Sequence, residues 1–121
     1  MSELRERLDR ATTERQMYAE LARAAHIGGW LMYHTHDSRH SAAGFPDILA
    51  LRGGELLAYE CKTERGAVRP AQREWLAALN EFVACHGLEE YCEARVVRPA
   101  DMAACLARLA SRPGLPAEAV V

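Results

Sequence analysis

The sequence has no apolar stretch near the length of a membrane-spanning helix. Its opening residues, MSELRERLDR, are charged throughout, unlike a secretory signal peptide. Nor is there an excess of positive charge. Fifteen Lys and Arg against seventeen Asp and Glu leave a formal net charge of -2. No global basic field therefore advertises a nucleic-acid partner, although a local basic patch can exist on such a chain. The four cysteines, Cys61, Cys85, Cys92 and Cys105, contain no CxxC pair and no disulfide-like crowding. They read as reduced, mostly buried thiols. No internal repeat and no linker interrupts the 121 residues, a length that suits one domain with a modest core. A soluble intracellular protein is expected, with no membrane association.

What is present is an ordinary globular composition, 50% hydrophobic and 26% charged. Residues 2 to 10 suit a short frayed helix with only Leu4 and Leu8 to bury. Thr13 and Gln16 have capping-box spacing, so a stronger helix starts there, carries Met17, Leu21 and Ala25 on one face, and stops at Gly28-Gly29. WLMYHT (30 to 35) reads as a strand, and residues 36 to 44 as a polar loop. Two strands follow in the stretch GFPDILALRGGELLAYECK (44 to 62). Pro70 suits the first position of a helix whose apolar face is Trp75, Leu76, Leu79, Phe82 and Val83, ending at His86-Gly87. Residues 91 to 97 form a fourth strand. Pro99 opens a last helix with Met102, Leu106 and Leu109 inward, and SRPGLPAEAVV forms a loosely held tail. The order α-β-β-β-α-β-α defines one α/β unit. Residues 1–12 read as an N-terminal extension, 13–111 as the domain and 112–121 as the tail.

Charge sits oddly in that central stretch, because desolvating an ion is costly unless it is paired or binds a metal. A two-residue Gly53-Gly54 turn fixes the hairpin register. Arg52 then faces Glu55 and Asp47 faces Glu60, on one sheet face with Cβ atoms about 4.5–5.5 Å apart. Lys62, two residues past Glu60, projects to the same face, while Tyr59 and Cys61 point away. A single bulge would break this convergence.

Two carboxylates placed opposite each other repel. A divalent cation turns that repulsion into a site, and Mg²⁺ takes hard oxygen ligands, often only one or two of them carboxylates. The cation can generate hydroxide and stabilise charge on a phosphoryl oxygen. Lys62 beside it could orient the attacking water or stabilise the transition-state charge. This is a toolkit for phosphodiester hydrolysis. The competing reading is a strand-end Asp47 with an ordinary surface pair between Glu60 and Lys62.

GFPD at 44–47, ECK at 60–62, Gln72 and RPAD at 98–101 together resemble the VRR-NUC (virus-type replication-repair nuclease) family of the PD-(D/E)xK superfamily, in its small stand-alone phage and bacterial form. The resemblance runs from about Thr13 to Asp101. It implies a restriction-endonuclease-like fold with a central mixed sheet flanked by helices. It also implies Mg²⁺- or Mn²⁺-dependent DNA cleavage, a homodimer, and branched substrates such as four-way junctions. Asp47, Glu60 and Lys62 match the family's metal and ExK positions, Gln72 its helix-start glutamine, and Glu14 its acidic residue in the first helix. On that footing Asp47 and Glu60 hold the metal with the Cys61 carbonyl and, through water, Glu14. Gln72 supports Lys62, and hydrolysis leaves a 5′-phosphate. A cytoplasmic location in a bacterial or phage-infected cell follows.

Glu14 and Gln72 each lie three residues before an inward residue, Met17 and Trp75, so both also suit structural roles. Glu20 lies on the flank of its helix. One departure is Arg69 at the cap position before Pro70, where a lost side-chain cap costs about 0.5–2 kcal/mol. Arg39, His40, Arg65, Arg69 and Arg73 surround the hairpin end and are read as a DNA-contacting rim that holds phosphates rather than reading sequence, the competing reading being that each is simply solvated. His34 and His36 alternate on one strand face with His40 nearby, but no fourth ligand has zinc spacing and no cysteine is close in sequence. Trp30 and Trp75 read as core. The alternative function is a non-catalytic DNA- or junction-binding module that retains the fold.

Overall fold

A computed structural model describes residues 2–35 and 42–111. The elements run α1 (Ser2–Ala11), α2 (Glu14–Ile27), β1 (Leu31–His34), β2 (Ile48–Arg52), β3 (Glu55–Cys61), α3 (Pro70–Cys85), β4 (Cys92–Val97), a 3₁₀ turn (Pro99–Asp101) and α4 (Met102–Ala110). The expected order is therefore present. Four strands form one mixed sheet in the order β1-β2-β3-β4. The first three are antiparallel neighbours, and α3 carries the chain across to β4, which pairs parallel to β3.

Period-two alternation decides what each face buries. Ile48 and Ala50 of β2, Leu57, Tyr59 and Cys61 of β3, and Val97 of β4 pack against Met17 and Leu21 of α2 and Met102, Cys105 and Leu109 of α4. The opposite face, with Ala58 and Ala94, lies under Leu76 of α3. Strand β3 is thus covered on both sides. Glu60, in phase with Leu56 and Ala58, falls on the α3 side, and Cys61 on the other.

Helix α2 starts as expected. The Thr13 hydroxyl accepts from the Gln16 N–H at 3.1 Å, and the Gln16 amide oxygen accepts from the Thr13 N–H at 2.8 Å. Gly28 ends it where a side chain has no room, because a Cβ there would lie 2.0 Å from the Leu109 carbonyl oxygen. Helix α3 starts at Pro70 without any side-chain cap from Arg69. Gln72 supplies the cap in reverse, its amide oxygen accepting the Arg69 N–H at 2.9 Å. The Arg69 departure is compensated from within the helix.

Two core expectations are corrected. Leu4 and Leu8 remain 57% exposed, because α1 lies outside the two packed layers. Phe82 is 58% exposed, since α3 is set down along Leu76 and Val83 and the wide apolar face overhangs the sheet. Three cysteines are buried and Cys85 is exposed, all as free thiols.

The turn end of the β2–β3 hairpin is an ion-pair knot. Arg52 donates to Glu55 at 2.8 Å and to the carbonyls of Gly28 and Ser111, while Arg108 reaches Glu55 at 2.8 Å. The Arg52 guanidinium also lies 4.2 Å from the centre of the Trp30 ring. Trp30 is core, as expected, and its indole N–H donates to the Leu109 carbonyl. Charge at this end is consumed by structure.

Candidate active site

The hairpin register is the one the glycine pair dictates. The ladder runs without a bulge from Arg52↔Glu55 to Ile48↔Tyr59. Asp47 follows just beyond it, and its carboxylate accepts the Cys61 N–H at 2.8 Å. This bond ties the two strand ends together where the ladder stops. On the other side the Thr35 N–H donates to the Asp47 carbonyl at 3.0 Å.

The loop that delivers Asp47 is pinned to α3. Gly44 has φ +80, and a Cβ there would meet the Ala71 carbonyl carbon at 2.4 Å and the Gln72 nitrogen at 2.7 Å. Only glycine combines that conformation with that approach. Phe45 packs edge-on to Trp75 at 5.0 Å, and the Trp75 indole donates to the Ala43 carbonyl at 3.1 Å. Trp75 is half-buried and serves as a staple for the GFPD loop rather than as deep core.

Glu60 is 3% exposed. One carboxylate oxygen accepts from the Gln72 amide nitrogen at 2.9 Å and lies 3.7 Å from the Lys62 ammonium. The other oxygen is buried and accepts from no donor among the described residues, and as a carboxylic acid Glu60 can share its proton with Asp47. Burial pushes the Glu60 carboxyl up to about 8, and the Asp47 carboxylate pushes the same way, while Lys62 opposes. Gln72 is held at both ends, by the Arg69 N–H and by Glu60, so its amide orientation is fixed by the network. Lys62 is also buried, and its N–H continues the parallel ladder to the Val97 carbonyl at 3.0 Å.

On the α2 side a cleft of about 390 Å³ is lined by Glu14, Arg15, Tyr18, His34, Asp47 and Cys61. Glu14, the first residue of α2, is exposed at its mouth, and the His34 ring stacks on Tyr18 at 3.7 Å. Asp47 is common to the cleft and to the Glu60 pair. Burial pushes the Cys61 thiol well above its ordinary value, so in the metal-free chain it is a neutral core group. Among the described residues no group of three or more His, Cys, Asp or Glu side chains is arranged around one point to hold a metal. Two carboxylates, one with a buried oxygen that accepts from no described donor, are nevertheless a fit for a hard cation that retains most of its waters.

Arg65, Arg69 and Arg73 are all exposed, in the turn after β3 and at the start of α3. Arg39, His40 and His36 lie outside the described residues. Arg15 and Tyr18 are cleft residues that sequence reasoning passed over. The signal for Tyr18 was available, since Glu14 and Tyr18 are four apart on one helix and share a face.

A mixed sheet with helices on both faces, and with Asp47, Glu60 and Lys62 gathered at one end of its central hairpin, is a restriction-endonuclease-like architecture. The VRR-NUC domain matches residues 5–96, and the chain belongs to the VRR-NUC family. Membership places it among nuclease-type DNA-processing proteins. Neither the curated proteins nor the solved structures gave a match. Among the described residues no helix is long and apolar enough to cross a membrane.

Proposed function

We propose that the protein is a divalent-metal-dependent endonuclease that hydrolyses DNA phosphodiester bonds, with branched DNA such as four-way junctions as its preferred substrate. The observation that carries this reading is the meeting of Asp47, Glu60, Lys62 and Gln72 at one sheet end, with a buried Glu60 oxygen that accepts from no described donor. Composition supports it too. Lys62 is the only lysine among fifteen basic residues. A chain that uses arginine everywhere else places its single compact ammonium at this point.

Asp47, Glu60 and the Cys61 carbonyl would hold Mg²⁺ or Mn²⁺, with Glu14 acting through water. Bound there, such a cation would supply positive charge to offset that on a phosphoryl oxygen. Lys62 orients the attacking water and offsets charge on the phosphorane-like transition state. Gln72 keeps Glu60 and Lys62 in place. Water adds to phosphorus, the bond to the 3′ oxygen breaks, and that oxygen leaves with a proton, so the 5′ fragment end carries the phosphate. Arg65, Arg69 and Arg73, with Arg39 and His40, hold the backbone electrostatically. A homodimer would present two such sites to paired strands.

The test is cleavage of single strands, flaps, duplex and four-way junctions with Mg²⁺ or Mn²⁺. Metal-dependent cutting that favours the junction supports the reading. Junction binding without cutting in any metal would make the chain a non-catalytic module.

A further inference from the structure

The RPAD stretch that contributes to the family resemblance has no part in the site described so far. Its first residue, Arg98, follows β4 directly and lies beside Lys62 across the parallel ladder, where Cys61 pairs with Val97. Its guanidinium Nη1 donates to three backbone carbonyls of the turn that follows Lys62: Thr63 at 2.8 Å, Glu64 at 3.3 Å and Gly66 at 2.9 Å. Arg98 is itself anchored, because its N–H donates to the Asp101 carboxylate at 2.9 Å and Asp101 pairs with Arg95 at 2.9 Å.

That turn lies next to the Lys62 side chain. A Cβ on Gly66 would lie 3.5 Å from the Lys62 Cδ, an ordinary contact distance, and 3.0 Å from the Thr63 hydroxyl, so the turn leaves room for no more than a small residue beside the lysine stem. A long flexible side chain is placed only as well as its surroundings hold it. The Gly66 N–H closes the turn on the Thr63 carbonyl at 3.2 Å, and the charged Arg98 guanidinium, shared among three carbonyls, ties the closed turn to the end of β4. The geometry points to Arg98 as a positioning residue: it gathers the 63–66 turn around one guanidinium and thereby sets the Lys62 ammonium against Glu60. This role rests on the nuclease reading for its consequence in catalysis, but the contact itself does not.

The single lysine makes the contact measurable without any reaction on DNA. Amine labelling of the intact chain, followed by mass spectrometry, reports Lys62 and the N-terminus alone. Arg98→Met should expose Lys62 to labelling and lower kcat on junction DNA by about 10- to 100-fold while KM changes little, as expected for a misplaced catalytic group. Arg98→Lys keeps a cation with three donors for the three carbonyls and should restore most of both. Gly66→Val leaves Arg98 in place, sets a branched side chain against the Thr63 hydroxyl and the Lys62 stem, and should lower kcat as Arg98→Met does. An unchanged kcat in folded Gly66→Val would show that the 63–66 turn does not place Lys62 and would overturn the proposal even where Arg98→Met fails to fold. Unchanged Lys62 labelling in a folded Arg98→Met protein would overturn the assignment, as would Arg98→Lys behaving like Arg98→Met. If the unaltered chain cuts no DNA, the nuclease reading fails, and the labelling arm still decides whether Arg98 sets Lys62.

Discussion

Glu60 is the residue whose two roles conflict, and that conflict can be read from stability alone. Its carboxyl is raised from 4.5 to about 8 in the folded chain, first by burial and then by Asp47. In the unfolded chain it ionises near its ordinary value. Between the two values the folded state holds a proton that the unfolded state has released, so stability falls as pH rises. The favourable contribution is complete below the unfolded value and is lost by the time pH passes the folded one. Taken from about pH 6 to about pH 9, this costs roughly 2–3 kcal/mol in metal-free solution. For a chain of this length that corresponds to a fall of about 10 °C in Tm. Glu60→Gln keeps the shape and an acceptor for Gln72 but removes the titration, so its metal-free Tm should fall less over that interval by about that amount. A saturating divalent cation favours the ionised carboxylate and should flatten the wild-type curve while leaving the variant unaffected. The assay is thermal unfolding by circular dichroism across pH, with chelator and with Mg²⁺. Parallel metal-free curves for the two proteins would refute the reasoning, because Glu60 would then titrate as an ordinary carboxylate.

Other outcomes follow from particular contacts. Gly44→Ala drives a Cβ into the Ala71 carbonyl, so the GFPD loop must lift from α3; a loss of about 1–3 kcal/mol and a larger fractional loss of cleavage are expected, measured by denaturation and by junction cutting. Glu55→Ala leaves Arg52 buried without its carboxylate and should cost about 3–5 kcal/mol, while cleavage per folded molecule is retained because the knot lies at the far end of the hairpin. Gln72→Leu removes both the cap on Arg69 and the bond to Glu60. It should lower stability by about 0.5–2 kcal/mol and kcat more than KM, read from urea unfolding and steady-state kinetics.

The parts of this fold governed by local chemistry were legible in the sequence. The Gly53-Gly54 turn fixed the β2–β3 register, and with it the approach of Asp47 to the Glu60 strand, because side chains alternate with a period of two. The Thr13 capping box and the Pro70 start were legible for the same reason. What escaped depends on partners distant in sequence. Phe82 has the spacing of a core residue, but α3 contacts the sheet along a narrower line than its apolar arc. Leu4 and Leu8 have helical spacing and no layer to pack into. The need for glycine at position 44 arises from the backbone of residue 71, and the hold of Arg98 on the 63–66 turn spans more than thirty residues. Neither leaves a periodic trace. Arg69 shows the converse, a position that departs from the usual cap and is rescued three residues on by Gln72.

The central claim is that Asp47, Glu60 and Lys62 act on DNA as one metal-dependent unit. The most direct measurement is four-way-junction cleavage by the wild-type protein, Asp47→Ala and Lys62→Ala, paired with Mg²⁺ binding by calorimetry. Metal-dependent cutting by the wild type is predicted. Asp47→Ala should lose both the cation and the cleavage, and Lys62→Ala should lose the cleavage while keeping the cation. Undiminished Mg²⁺ binding and undiminished cutting by Asp47→Ala would contradict the account.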